Sequence, residues 1–310
     1  MSRSFRFGVI CGGFASGENW REQARKIEDL GYSTLLVPDG IRSAVDPLVA
    51  LSVAADATTA LRVGSYVFCN DFRHPALLAK GVATLDILSG GRFEFGLGAG
   101  YSSADYHLAE MPYDSAGIRL SRFEESLQVM KQLFTGDTVN FHGKFYAIND
   151  LKAQLTPTQK PHPPIFVGGG GKRMLSIAAR EADIIGINAI NTAQGMDVTD
   201  STPEAMEQKI AWIREAAGER INDLELACPI FRMVSSDSQG QGDQILQRGG
   251  PPMAGDLRSV QGSIHTLVGS IDQISEELQA RRERYGISYI QVTANLLDAF
   301  APIVARLAGQ

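Results

Sequence analysis

Cysteine is scarce and unpaired: the 310 residues hold three, Cys11, Cys69 and Cys228. An odd number at wide spacing argues against a disulfide framework and points to a reducing compartment, so a cytoplasmic protein is expected. Histidine is equally sparse. The five histidines stand far apart, show no metal-ligand spacing, and give no reason to expect a metal. No apolar run approaches the roughly 20 residues of a membrane-spanning helix, and residues 1–10 lead into a strand rather than a signal peptide. Positive charge is not in excess either: 29 Lys and Arg against 35 Asp and Glu give a net charge of −6. With the two signs interspersed, the basic footprint of a nucleic-acid binder is missing.

What is present is a rhythm of short apolar strands and amphipathic helices. Phe5–Ile10 reads as a strand, and Trp20, Ala24, Ile27 and Leu30 then recur on one helical face before Gly31 stops the helix. Strand and helix signals follow at Thr34–Val37 and Pro47, at Arg62–Phe68 and Pro75–Leu88, and at Arg92–Leu97. Prolines at helix starts suit their fixed φ and missing N–H. Phe123, Leu127, Met130 and Leu133 line a later helix, and Thr138–Ile148 alternates around His142-Gly143 like a β-hairpin. The rhythm resumes with Pro164–Val167, a helix over Lys172–Glu181 and a strand over Ala182–Ile187. Leu226–Val234 and Tyr289–Thr293 are the last two strands, with a helix over Ile271–Tyr285 that Ser270 caps, and Asp298–Leu307 closes the chain.

Alternating β and α over the whole length implies a parallel sheet. The expected fold is α/β, a (β/α)8 TIM barrel with insertions, of about 250 residues plus extra segments; an open doubly wound sheet is the alternative. One domain over residues 1–310 is expected, with a hairpin insertion at about 135–150 and a lid-like polar excursion at about 235–262.

Two glycine clusters follow strands, at the end where such a barrel keeps its chemistry. One is G-L-G-A-G-Y, residues 96–101, and the other is Gly168–Gly171. Neither is a standard nucleotide motif. Tyr101 stands where the dinucleotide fingerprint needs its third glycine, and Phe166 and Arg173 break the P-loop pattern around Lys172. Small residues nonetheless let a backbone approach a ligand, and free N–H groups at a helix start favour an anion. A phosphate-bearing cofactor therefore suits both loops, with Lys172 or Arg173 as an added cation; glycine-rich turns without a ligand are the alternative.

The succession Y-S-T-L-L-V-P-D, L-R-V-G-S-Y-V-F-C-N-D-F-R-H-P-A, L-S-G-G-R-F-E-F-G-L-G-A-G and P-P-I-F-V-G-G-G-G resembles the luciferase-like monooxygenase family of flavin and deazaflavin oxidoreductases. It is most similar to the branch that uses coenzyme F420. The match spans roughly residues 5–190 and returns at L-V-G-S-I-D-Q-I. The resemblance implies an F420-dependent oxidoreductase transferring a hydride between the deazaflavin and a small organic substrate. An FMN-dependent two-component monooxygenase is the alternative, and a flavin-binding protein without catalysis is a further one. It also implies a homodimer.

Residue by residue, the resemblance implies a cofactor site of Asp39, Ser65, Tyr66, Val67, Cys69, Gly98, Ala99, Gly100 and Gly168, Gly169, Gly170 and Gly171. A bulge in the third strand, with a cis bond from Tyr66 to Val67, would back the ring, and Cys69, Asn70 and Asp71 would face its polar edge. Asp39 is also readable as a turn aspartate after Pro38, and Cys69 as a small buried hydrophobe. Gly40 departs from the family, which often has a histidine there, and Tyr101 stands where some F420 dehydrogenases carry a glutamate. The candidate catalytic residues are accordingly Asp39, Asn70, Tyr101 and His107. Cys11, Phe14, Arg42 and Asn188 are substrate-contact candidates, and His142 is expected to be structural.

Overall fold

The computed structural model describes residues 3–13, 19–192, 195–236 and 262–310. The substrate candidate Phe14 and nearly all of the excursion expected at 235–262 lie outside the described residues. The strands are β1 (Arg6–Ile10), β2 (Thr34–Val37), β3 (Arg62–Ser65), β4 (Phe68–Cys69), β5 (Phe93–Gly98), β6 (Thr138–His142), β7 (Ala147–Lys152), β8 (Ile165–Gly169), β9 (Ile184–Ile187), β10 (Asn191–Thr192), β11 (Gly195–Met196), β12 (Glu225–Ile230), β13 (Arg232–Ser235), β14 (Thr266–Gly269) and β15 (Ile287–Thr293). The parallel sheet runs β3-β2-β1-β15-β12-β9-β8-β5-β4, with β3 also pairing β5, which is the cyclic order of a (β/α)8 barrel. The doubly wound alternative is thereby set aside.

The chain divides into two compact units: Met1–Cys11, Lys26–Leu35 and Gly168–Gln310 form the first, and Gly12–Arg25 and Leu36–Val167 the second. In the first, β15 lies between β1 and β12, with Gly8 opposite Gln291 and Ala227 opposite Tyr289. The N-terminal end of these strands is filled by charge: Arg6 donates to both oxygens of Glu225, at 2.7 and 2.6 Å, with its guanidinium 3.5 Å from the centre of the Tyr289 ring. Phe7 packs outward against Phe300 of the helix Leu297–Leu307. Ser270 caps the helix Ile271–Tyr285 in a full capping box with Gln273.

In the second unit, β5 pairs β3, β4 and β8. Phe68, Phe95, Phe123 and Phe134 are wholly buried around it, each contributing roughly 1.5–3 kcal/mol by leaving water. Two helix starts are set by the side chain just before a proline. Asp46 accepts the Val49 N–H ahead of the helix Pro47–Ala57, and the His74 Nδ1 accepts the Ala76 N–H ahead of Pro75–Leu88.

Several elements differ from the sequence reading. The segment expected as one strand, Leu226–Val234, is two: β12 joins the barrel, whereas β13 pairs with β14, a strand with no clear signal in the sequence. Two helices, Ser103–Leu108 and Pro203–Ala217, were not anticipated. The β6–β7 hairpin forms, but its turn covers residues 143–146 and β7 runs on to Lys152. The cause is Glu125, whose carboxylate accepts the N–H groups of Lys144, Phe145 and Tyr146 and so selects a longer turn than His142-Gly143 alone.

Candidate functional site

In the second unit the third strand breaks after Ser65. The Tyr66–Val67 bond is cis, as the family resemblance implied, and the chain re-enters the sheet as β4. Ser65 is committed to the sheet: its hydroxyl donates to the Gly96 carbonyl at 2.8 Å and accepts the Gly96 N–H at 2.9 Å. Tyr66 leans on Phe166, ring centres 5.6 Å apart. Behind the break, Gly98 has no room for a side chain, because a Cβ there would come 2.6 Å from Val67.

The turn that follows, Cys69–Arg73, is held by two aspartates, each paired with an arginine. Asp39 accepts the Cys69 N–H at 2.9 Å and both terminal nitrogens of Arg73, at 2.5 and 3.0 Å. Arg73 reaches on to Asp46 at 3.1 Å. Asp39 is therefore more than a turn aspartate after Pro38. Burial pushes its carboxyl pKa up, and the hydrogen bonds and charge of Arg73 oppose that shift. Asp71 takes Arg122 through Nε at 2.8 Å and Nη2 at 2.6 Å, together with the Tyr106 hydroxyl at 2.7 Å. Asp105 takes Arg42 at 2.9 Å.

Cys69 is buried, and its sulfur lies 3.5 Å from the Tyr106 hydroxyl. Burial raises the pKa of both groups, with their mutual contact and Asp71 adding to the effect on Tyr106. Burial thus disfavours the thiolate of Cys69, the form that acts as a nucleophile. Gly100 has φ +76°, and a Cβ there would land on the Tyr106 hydroxyl. Glycine at 98 and 100 is thus required by this chain's own Val67 and Tyr106, whether or not a phosphate approaches.

Asn70 is 1 % exposed. Its Nδ2 donates to the Tyr146 hydroxyl at 3.2 Å and lies 3.4 Å from the Asp71 Oδ1, while its own Oδ1 has no partner among the described residues. Tyr101 is 70 % exposed and His107 is exposed. A Cβ on Gly40 would meet the Ser43 hydroxyl at 3.2 Å and the Asp105 carboxylate at 3.3 Å.

In the first unit, Gly168–Gly171 leads into the helix Lys172–Glu181. A Cβ on Gly170 would press on the backbone of Asn188 and Ala189, and one on Gly169 on Met174, whereas nothing lies within 4 Å of one on Gly171. Gly171 is the N-cap of that helix and no side chain caps it, so its first N–H groups suit an anion. Lys172 pairs with Glu215 at 3.4 Å. Asn188 is half-buried and donates its N–H to the Gly169 carbonyl, and Cys11, expected at the rim of the barrel mouth, is buried.

Arg73, Tyr106, Arg122 and Asp105 were not singled out in the sequence. Arg73 lies inside the quoted F-R-H-P-A segment. Arg122 had a signal in polar residues recurring on an apolar helix face, at Arg119, Arg122 and Ser126 beside Phe123 and Leu127.

The family model described as luciferase-like monooxygenase matches residues 6–288, and the chain belongs to that family. An FMNH2-dependent dimethylsulfone monooxygenase of Pseudomonas putida is 34% identical over 122 residues, 39% of this chain and 33% of that protein. The chain thus matches about a third of that relative's length. An F420-dependent glucose-6-phosphate dehydrogenase of Amycolatopsis mediterranei is 27% identical over 227 residues, 70% of this chain and 66% of its own length. Among solved structures, the F420-dependent tetrahydromethanopterin reductase of Methanopyrus kandleri superposes with a TM-score of 0.78 at 19% identity, covering 98% of both chains. That last likeness concerns the fold. Relatives of both cofactor types are therefore at hand. Among the described residues, no helix is long and apolar enough to cross a membrane, and no three metal-ligating side chains gather.

Proposed function

We propose that this chain is an F420-dependent oxidoreductase that transfers a hydride between the deazaflavin and a small organic substrate. The observation that carries the reading is the strand break at Tyr66–Val67, followed by a turn that Asp39, Asp71 and their arginines fasten at Cys69, Asp71 and Arg73. A turn so fastened presents fixed backbone to a planar ring without reorganising on binding. Within each unit there are residues that suit part of such a group: in the second, the Asn70 Oδ1 is an acceptor with no donor among the described residues, and in the first, the uncapped start of the helix Lys172–Glu181 suits a phosphate. F420, when bound, supplies the hydride-carrying carbon, and the side chains bind, orient and handle protons.

Roles divide by chemistry. Asp39, held by Arg73, orients the turn. Asn70 has an amide that does not titrate and acts as a hydrogen-bonding group. Tyr101 and His107, both exposed, are the side chains proposed to pass a proton, and Arg42 and Asn188 to contact substrate. Fluorescence titration of apo-protein with F420 and with FMN tests the reading. Tighter binding of F420 is expected. Tighter binding of FMN, with oxygen consumed when reduced FMN is added, would replace this reading with an FMN-dependent two-component monooxygenase, which the 34% identity to the dimethylsulfone enzyme favours.

A further inference from the structure

The tip of the β6–β7 hairpin is tied down twice within the second unit. Glu125, on the helix Ala116–Thr135, accepts the N–H groups of Lys144, Phe145 and Tyr146 at 2.9, 2.8 and 3.3 Å. Tyr146 then sets its ring edge-on against His74 and takes the Asn70 Nδ2 on its hydroxyl at 3.2 Å. An amide can be turned end for end, and a hydroxyl serves either end. Asp71 removes that freedom. Its Oδ1, already gripped by Arg122, is an acceptor only and lies 3.4 Å from the Asn70 nitrogen. The NH2 end therefore faces Tyr146 and Asp71, and the Oδ1 end is left without a donor in a side chain that is 1 % exposed.

A buried amide oxygen with no partner calls for a function. We propose that Tyr146 is a positioning residue: with Asp71 it takes the NH2 of Asn70, reserving the Asn70 Oδ1 as the acceptor for an N–H of the bound flavin-type ring, and Glu125 holds Tyr146 in reach. The inference rests on the reading that this chain binds such a ring. The lactam N–H is common to F420 and FMN, so the choice between the two does not enter it.

The test is a double-mutant cycle between Tyr146→Phe and Asn70→Ala, read as dissociation constants for F420 and for FMN by fluorescence titration. Tyr146→Phe should weaken binding up to about tenfold in the parental chain, the scale of one neutral hydrogen bond, and less than about twofold in the Asn70→Ala background. Glu125→Gln, which loosens the hairpin by another route, should follow the same pattern. Because the coupling is a ratio of affinities, a loss of Tm shared by both backgrounds drops out. Equal losses in the two backgrounds, no loss from Tyr146→Phe, or parental affinity in Asn70→Ala would each overturn the inference while leaving the cofactor reading in place. If the parental chain bound neither F420 nor FMN, both would fall together.

Discussion

Gly100→Ala and Gly171→Ala delete nothing, yet they should behave in opposite ways. At Gly100 the alanine must keep φ near +76°, which disfavours an L-residue by roughly 1–2 kcal/mol. Its Cβ would also fall on the Tyr106 hydroxyl and 3.1 Å from the Cys69 sulfur, and overpacking of a close-packed site costs about 1–3 kcal/mol. Together these predict a destabilisation of roughly 2–5 kcal/mol, with Tyr106 pushed off Asp71. Gly171 has φ −84° and open space around its Cβ. Alanine there is a poorer N-cap but narrows the unfolded ensemble, two effects of similar size, so stability should change by no more than about 0.5 kcal/mol. Urea unfolding of the two variants measures both numbers. Titration with FMN and with riboflavin, which lacks the phosphate, then separates fold from ligand. If the helix start takes a phosphate, Gly171→Ala should weaken FMN and leave riboflavin untouched. A Gly100→Ala protein within about 1 kcal/mol of the parent would refute the packing argument, and equal effects on FMN and riboflavin in Gly171→Ala would remove that loop from phosphate binding.

Two further outcomes follow from the buried polar groups. Asp39→Asn should destabilise the chain by about 1–3 kcal/mol in urea; this is less than the full cost of a broken buried pair, because Arg73 is 22% exposed and keeps Asp46. An unchanged midpoint would show that Asp39 does not hold the turn. His265 is wholly buried, with Nδ1 2.8 Å from the Pro229 carbonyl and Nε2 unpartnered; burial holds its pKa down at about 4 against an ordinary 6.5. Between those values the unfolded chain takes up a proton that the folded chain refuses, so stability is full above pH 6.5 and falls as the pH drops towards 4. The fall should reach about 3 kcal/mol. His265→Asn, which keeps a donor for Pro229, should lose that part of the slope, and identical pH profiles for the two proteins would contradict it.

The barrel was legible because its signals are local and repeated. Each βα unit carries its own apolar strand and helix pattern, so Thr34–Val37, the Pro47 and Pro75 helices and Lys172–Glu181 stand as read. The pair β13–β14 was not, because it forms a sheet apart from the barrel and so falls outside the alternation of strand and helix that reveals the other strands. At the candidate site, the break at Tyr66–Val67 was expected only because the stretch around it resembles a known family. The side chains that fasten it are distant: Asp71 meets Arg122 across 51 positions and Asp39 meets Arg73 across 34. No spacing rule joins such residues. The hairpin turn was misplaced for the same reason, since Glu125 selects it from another element.

Gly40 ties three positions together. The Ser43 hydroxyl accepts the Gly40 N–H at 3.1 Å, and Asp105 leans in under the grip of Arg42, so the place a larger side chain would take is held from two sides. A histidine at 40 would need the Ser43 hydroxyl and the Asp105 carboxylate to give by a few tenths of an ångström. Position 40 is therefore coupled to its neighbours: a larger side chain there shares its space with Ser43 and Asp105, so the three positions are constrained to change together.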